Sequence, residues 1–345
     1  MGSFAGVGNR NLMKLTKYFC CQRKFSTRNR ESKNKLVNNI KKLQLLKSGV
    51  CEKNFEKGKY MVFSEQSVLL SKNDPLYLIL WGSFEGAGEH VADVTKQSVL
   101  LSVSGEGNVH FAVRVPVETR QAVQRSFGGE FVSLRTSLFL LSSADSALVS
   151  QGWSLLSWGV AARFCEACGG ALATAGAGGH KRCSGCGAVR YPSLSPVGIA
   201  LVTSEDRSRA LLVRQHAHPP GMFTCIAGFV EVGESVEENV RREVAEEVGL
   251  EAKEIEYVGS QHWALPASRL MIGCIAVVTE TEFSLDETEL EAAAWCTPRE
   301  VRNALTRVAG QRGVQSGEPG HMWVPPRGAI AHHLLQHWLT TYHAG

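Results

Sequence analysis

No run of this 345-residue chain approaches the roughly 20 uninterrupted apolar residues that a membrane-spanning helix needs, so no membrane partner is expected. The first 30 residues contain no Asp or Glu at all. They carry seven basic residues instead: Arg10, Lys14, Lys17, Arg23, Lys24, Arg28 and Arg30. Large net charge is missing too. The whole chain has 37 basic and 33 acidic residues, and the part after residue 30 has 30 against 33, a net of −3. That excludes a strongly basic nucleic-acid binder, and the mild basicity belongs to the N-terminus alone. Hydrophobic residues make up 44% and charged residues 20%, which excludes a mainly disordered or collagen-like chain. No clean apolar core follows the first charges, which speaks against a secretory signal. An acid-free, Arg/Lys-rich start with Ser, Thr and scattered Leu and Phe reads as a mitochondrial transit peptide over residues 1–30, with Arg23-Lys24-Phe25-Ser26-Thr27 as the processing region. A disordered basic tail is the other reading.

Residues 31–59 stay polar and Lys/Asn-rich, and are expected to be a linker or a frayed helix. Residues 60–163 should form a β-rich N-terminal domain. Its short apolar runs at 60–63, 75–81, 98–103 and 109–115 are broken by turn signals, and Val109, Phe111, Val113 and Val115 alternate as in a half-buried strand. Residues 144–163 then carry Leu148, Trp153, Leu155, Leu156, Trp158 and Val160 at spacings that predict a helix with a broad apolar face.

Ten cysteines are present, and four of them form two CxxC pairs, Cys165/Cys168 and Cys183/Cys186, separated by 14 residues. This spacing predicts a structural Zn²⁺ site within a small ribbon over residues 164–190. Each pair presents two thiolates from a tight knuckle, and two knuckles complete a tetrahedron. The insert from Ala171 to His180 is rich in Gly and Ala and cannot build a core alone, so metal would supply the folding energy. Disulfides are disfavoured in a chain that is not secreted. Four thiolates leave no open position, so the zinc should not be catalytic. Cys225 and Cys274 lie in apolar runs and are expected in the core.

The chemistry concentrates between Leu211 and Leu250. Leu211 to Arg214 and Thr224 to Ala227 read as strands, Gly228 and Gly233 as a tight turn. Ser235 with Glu238 has the form of a capping box, and Gly249 that of a helix-ending glycine. Val236, Val240, Val244 and Val248 fall four apart as a buried stripe. Glu243, Glu246 and Glu247 then crowd one side of the helix within a turn. Like charges at that spacing are destabilising, and late in a helix the dipole makes them worse. A hard divalent cation with oxygen ligands, Mg²⁺ or Mn²⁺, would compensate them. Arg242 can pair with Glu246 and orient it. A solvated acidic face is the bland alternative.

Gly228-x5-Glu234-x7-Arg242-Glu243-Val244-x-Glu246-Glu247-x-Gly249-Leu250 resembles the Nudix box at all nine specified positions. The resemblance implies an α/β fold, an α/β/α sandwich around a mixed sheet over residues 191–345, preceded by the small zinc ribbon and the β-rich N-terminal domain. It implies hydrolysis of a nucleoside diphosphate linked to another group. Glu243 and Glu247 match metal ligands, the backbone carbonyl of Ala227 matches another, and Glu246 matches a nearby ligand or base. Arg242, Glu246 and Glu247 are the expected catalytic set.

Downstream, Ser260-Gln261-His262-Trp263-Ala264-Leu265-Pro266-Ala267-Ser268 is similar to the SQPWPFPxS array of the NADH pyrophosphatase branch, with His262, Ala264 and Leu265 departing from it. That branch also has a four-Cys ribbon before the catalytic fold, then a Tyr-Pro pair, here Tyr191-Pro192. The likeness implies a small-molecule dinucleotide substrate contacted by Tyr191, Phe229, the array from Gln261 to Ser268, and Ala331. It implies a further metal-binding glutamate at Glu289, with Glu287 and Glu291 close enough to be confused with it. It also implies a homodimer. Tyr191, Phe229 and Trp263 are stacking candidates on chemical grounds alone, though each could be core. His332, His333 and His337, on an expected helix from Ala329 to Tyr342, read as a solvated face before a metal site. The reaction expected is NADH + H₂O giving reduced nicotinamide mononucleotide and AMP. Removal of NAD caps from RNA is the alternative within the same chemistry, and a zinc-ribbon binding protein with an inactive Nudix domain is the alternative outside it.

Overall fold

The computed structural model describes residues 25–49, 52–73, 76–309 and 321–343. Residues 1–24, most of the expected transit peptide, lie outside them, as do Cys20, Cys21 and Cys51. Where a linker or frayed helix was expected, Phe25–Ser48 forms a 24-residue helix, α1. It is docked: Leu45 and Leu46 pack on the N-terminal core, and Lys42 donates from Nζ to the Leu101 carbonyl at 2.8 Å. Lys41 likewise donates to the Gly105 carbonyl, and such lysine-to-carbonyl bonds leave no periodic signal in the sequence. Among the described residues no helix is long and apolar enough to cross a membrane.

The N-terminal domain is a sheet of seven strands: β1 (Lys59–Ser64), β2 (Ser67–Asn73), β3 (Leu76–Ile79), β4 (Trp81–Gly82), β5 (Ser98–Val103), β6 (Val109–Arg114) and β7 (Glu130–Ser133). Its main path runs β3-β2-β1-β6-β5, with β4 on β1 and β7 on β2. The strand pair β1/β6 is parallel and the others are antiparallel. The expectation of half-buried strands needs correcting. Val109, Phe111 and Val113 do share one face, packed with Phe55, Tyr60 and Val123. The opposite face is covered as well, because α2 (Leu134–Leu140) and α3 (Ser143–Ala161) bury Met61, Phe63 and Ala112 beneath Leu138, Trp153 and Leu156.

A three-stranded ribbon follows, β8 (Leu172–Ala175), β9 (His180–Cys183) and β10 (Val189–Arg190). It sits against β5 through Gly178, where an added Cβ would come within 2.4 Å of Val99.

The C-terminal sheet contains β11 (Ser195–Ser204), β12 (Ala210–Gln215), β13 (Ile226–Phe229), β14 (Ala252–Trp263), β15 (Arg269–Val278) and β16 (Leu290–Cys296), in the order β14-β15-β11-β12-β16, with β13 also on β11. It is mixed, since β11 and β15 are parallel. Alternation along β11 separates two cores. Ala200 and Val202 face α4 (Val236–Val248), with Val240, Val244 and Val248. Ile199 and Leu201 face α5 (Pro298–Ala309) and α6 (Ile330–Tyr342), with Val301, Leu334 and Trp338. The result is an α/β/α sandwich. Cys225, Cys274 and Cys296 are all buried in it.

Candidate active site

The site is built from the start of α4 backwards into β13. Ser235 caps the helix by accepting from the Glu238 N–H at 3.2 Å. The Glu238 carboxylate accepts from the Ser235 N–H at 2.7 Å, so two otherwise orphaned donors are satisfied. Gly249 closes the other end at φ 67°, with its N–H on the Ala245 carbonyl. Between these stops, Glu243 and Glu247 turn towards β13 and Glu246 turns to solvent, its side chain 58% exposed.

Gly228 makes room for this. An ideal Cβ on it would lie 1.9 Å from the Glu243 carboxyl, so only a glycine lets that carboxylate lie against the strand. Ala227 precedes it, opposite Ile199 on β11. Glu247 is 2% exposed, and its Oε2 is buried without a hydrogen-bond partner. Burial pushes its carboxyl up to about 8, helped by the charges of Glu243, Glu289, Asp286 and Glu246. Burial also raises Glu243, against the neighbouring Arg242. Glu243, Glu246 and Glu289 lie near enough to Glu247 for their charges to act on it, and Glu247 is buried with an unused oxygen. This is an all-oxygen donor set that fits a hard divalent cation and lacks a soft ligand.

Arg242 does more than the expected pairing with Glu246. It binds Glu246 at 2.9 Å, Glu243 at 2.8 Å and Glu234 at 2.6 and 2.9 Å, and donates to the Phe229 carbonyl at 2.9 Å. It ties the loop before the helix to the acidic face and positions both glutamates. Glu234 is held down to about 2 by Arg242 and by the Glu231 N–H.

Of the three downstream glutamates, Glu289 is the one whose charge reaches both Glu243 and Glu247. Glu291 is engaged by Arg214 at 3.0 Å. Asp286, which the sequence did not single out, joins the site through its N–H on the Glu247 carbonyl at 3.0 Å.

Residues 194–315 match the NUDIX domain. The chain is 37% identical over 312 residues to NAD(P)H pyrophosphatase NUDT13, mitochondrial, of Mus musculus, covering 84% of this chain and 87% of that protein. It is 34% identical to the Homo sapiens protein of the same name over an alignment of 362 positions, 98% of this chain and 97% of that one. It is also similar to NAD-capped RNA hydrolase NUDT12 of Homo sapiens, at 40% over 211 residues, 59% of this chain and 43% of that protein. The chain belongs to the Nudix hydrolase family.

Around the Nudix helix, the expected substrate residues divide into two groups. Phe229 is 50% exposed, its carbonyl held by Arg242 and Asn239, and the Arg269 guanidinium lies 4.6 Å from its ring centroid. Tyr191 is 68% exposed beside His180. Pro266 and Ala267 are exposed, and Pro266 borders an open cleft of about 600 Å³ that also holds Arg135 from α2, a cation with no signature in the sequence.

The remaining residues are structural as placed. Ala264 and Leu265 are buried in the core of the N-terminal domain, and Trp263 packs beside them, tilted on Phe139 at 5.9 Å. Their side chains plug one domain into the other, so their expected ligand contacts could come only from backbone. His262 is spanned by hydroxyls, with Ser150 on Nδ1 at 2.9 Å and Ser268 on Nε2 at 2.8 Å. Gln261 accepts the Ile330 N–H at 2.8 Å and donates to the Gly328 carbonyl, anchoring the start of α6. Ala331 is 3% exposed inside the sandwich. The expected solvated histidine face also needs correcting, since His332 is buried and bonds the Pro325 carbonyl at 2.9 Å.

Apart from the Nudix site, the four cysteine sulfurs lie within 4.8 Å of one another, with Cys165–Cys186 at 3.8 Å and Cys168–Cys183 at 3.4 Å. A tetrahedron with metal–sulfur bonds of about 2.3 Å has sulfurs about 3.8 Å apart. Backbone N–H groups of Cys186 and Gly185 pull the Cys183 thiol down, which favours the thiolate. The cluster is therefore compatible with zinc.

Proposed function

We propose that this Nudix hydrolase cleaves the pyrophosphate of NAD(P)H with water, giving reduced nicotinamide mononucleotide and AMP, or 2′,5′-ADP from NADPH. The observation that carries the reading is the buried Glu247, its Oε2 without a partner and the charges of Glu243 and Glu289 beside it, in a chain that aligns along most of its length with NAD(P)H pyrophosphatases. Glu243, Glu247, Glu289 and the Ala227 carbonyl would hold Mg²⁺ or Mn²⁺. A cation there screens the pyrophosphate charge and makes water more acidic. Arg242 orients Glu243 and Glu246, and Glu246, on the solvent side, takes the proton of the attacking water. The free face of Phe229 and the ring of Tyr191 stack the substrate rings, and Arg135, across the cleft from Pro266, meets substrate phosphate. Zinc at Cys165, Cys168, Cys183 and Cys186 holds the ribbon. The enzyme acts as a homodimer in mitochondria, a location supported by its acid-free N-terminus and by the names of its relatives.

The same bond lies in NAD-capped RNA, and the likeness to human NUDT12 favours that substrate as the second reading. A turnover panel with added Mg²⁺ or Mn²⁺ over NADH, NADPH, NAD⁺ and NAD-capped RNA tests both. AMP release from NADH at the highest kcat/KM is expected. Preference for the capped RNA would replace the first reading by the second, and no turnover of any would refute both.

A further inference from the structure

We propose that a cavity where the N-terminal sheet, α3 and the ribbon meet is a second ligand site, built for a nucleoside monophosphate. The cavity measures about 420 Å³, within the range of small-molecule sites. Lys96, Arg114 and Lys181 line it, and no Asp or Glu does.

Arg114 ends β6. Its guanidinium lies 4.6 Å from the Trp153 ring centroid and gives one N–H to the Ser157 hydroxyl at 3.1 Å. Its Nε is buried with no hydrogen-bond partner, and among the described residues no carboxylate pairs with it. Lys181, on β9, is 5% exposed. Its ammonium donates to the carbonyls of Gly159, at 2.6 Å, and Ala162 at the end of α3. Those bonds use two of its three N–H groups, and among the described residues no acid pairs with it. Lys96 stands at the rim, 84% exposed, and reaches Asp93 at 2.9 Å.

Buried cations are tolerated when an anion meets them. A phosphate in the cavity would meet the positive charges of Arg114, Lys96 and Lys181, which all line it. Val99, Leu156 and Trp158 give the wall an apolar part beside the polar Gln97, Ser98 and Thr174, which suits a base with its ring and its polar edge. The ligand would bridge the ribbon and the N-terminal sheet, away from the carboxylates on α4. This inference is separate from the proposed reaction, since neither Glu243 nor Glu247 takes part.

The test is calorimetric titration of the full, zinc-loaded chain without added Mg²⁺, using AMP, inorganic phosphate and adenosine as probes. Expected is one AMP per chain, bound more tightly than phosphate, with no binding of adenosine. Arg114→Gln should weaken AMP by about tenfold, the scale of a lost charge-assisted hydrogen bond. Because that change could loosen Trp153, Lys96→Gln on the exposed rim is the companion variant and should weaken AMP severalfold with an unchanged melting temperature. Glu247→Gln should leave AMP binding as it is. Absence of saturable binding, adenosine or phosphate binding as tightly as AMP, persistence of full affinity in both cation variants, or loss of affinity in Glu247→Gln would each overturn the assignment.

Discussion

Gly228 and Glu243 are in a contact that only glycine permits, with a built Cβ falling 1.9 Å from the carboxyl carbon of Glu243. The strand before α4 thus serves as the floor on which the Glu243 carboxylate rests. Gly228→Ala should drive Glu243 outwards and strain its bond to Arg242 at 2.8 Å. Turnover should fall by roughly 100-fold, the scale of a 1 Å misplacement in an active site. Divalent-cation affinity should fall with it, while the zinc content stays the same. Turnover and Mg²⁺ titration on one preparation check this, and an alanine variant with normal affinity would show that Glu243 does not need that position.

The proposed role of Glu247 as a cation ligand would couple cation binding to protons. With its carboxyl held up at about 8 by burial, it carries a proton at neutral pH in the metal-free site. Cation binding must expel that proton. Apparent affinity should therefore rise with pH and level off above about 8, and calorimetry in two buffers of different ionisation enthalpy should report proton release at pH 7. The linkage also has a stability side. A carboxyl whose folded pKa is raised stabilises the fold fully below its unfolded value near 4.5, and that contribution is lost as pH rises through about 8. Metal-free protein should soften over this window, and Mg²⁺ should remove the trend.

His262 ties α3 to the loop after β14 through Ser150 and Ser268. Burial lowers its pKa, so the folded state favours the neutral ring. The tie is then fully present above the ordinary histidine value and is lost as pH falls through the lowered folded value. His262→Ala should cost about 1–2 kcal/mol at neutral pH, the scale of buried hydrogen bonds, and should flatten the acid-side decline. Urea unfolding of both proteins across mildly acid pH measures the difference.

The ribbon should depend on its metal. Cys183→Ser is expected to remove the bound zinc and lower the melting temperature by roughly 10 °C or more, because the Gly/Ala-rich insert has little core of its own. Turnover should fall only as the fold fails. Metal analysis beside a melting curve decides it, and a variant that keeps its melting temperature but loses activity would give the zinc a direct role.

What the sequence could convey follows the range of the interactions. Ser235, Glu238 and Gly249 set the ends of α4 through bonds spanning three or four residues, and the valine stripe sets its buried face, so this helix was readable in full. Tertiary packing was not. Ala264 and Leu265 look like members of a ligand loop, yet they are buried more than 100 residues away in sequence from the core they enter. Glu289 and Glu291 are two residues apart with the same chemistry. Only the position of Arg214 on the neighbouring strand separates the one that is paired from the one facing Glu247. For α1 the sequence left a linker or a frayed helix open, because part of its docking, the bond from Lys42 to the Leu101 carbonyl, leaves no apolar periodicity.

The central claim is that the acidic face of α4 performs metal-dependent cleavage of a reduced dinucleotide. The most direct measurement is AMP release from NADH with Mg²⁺, by wild type and by Glu247→Gln, with melting curves of both. Wild type should release AMP only with the cation. Glu247→Gln, with the same shape and one charged oxygen fewer, should be slower by about 1,000-fold or more with its fold intact. AMP release independent of the cation, or near wild-type turnover in Glu247→Gln, would contradict the account.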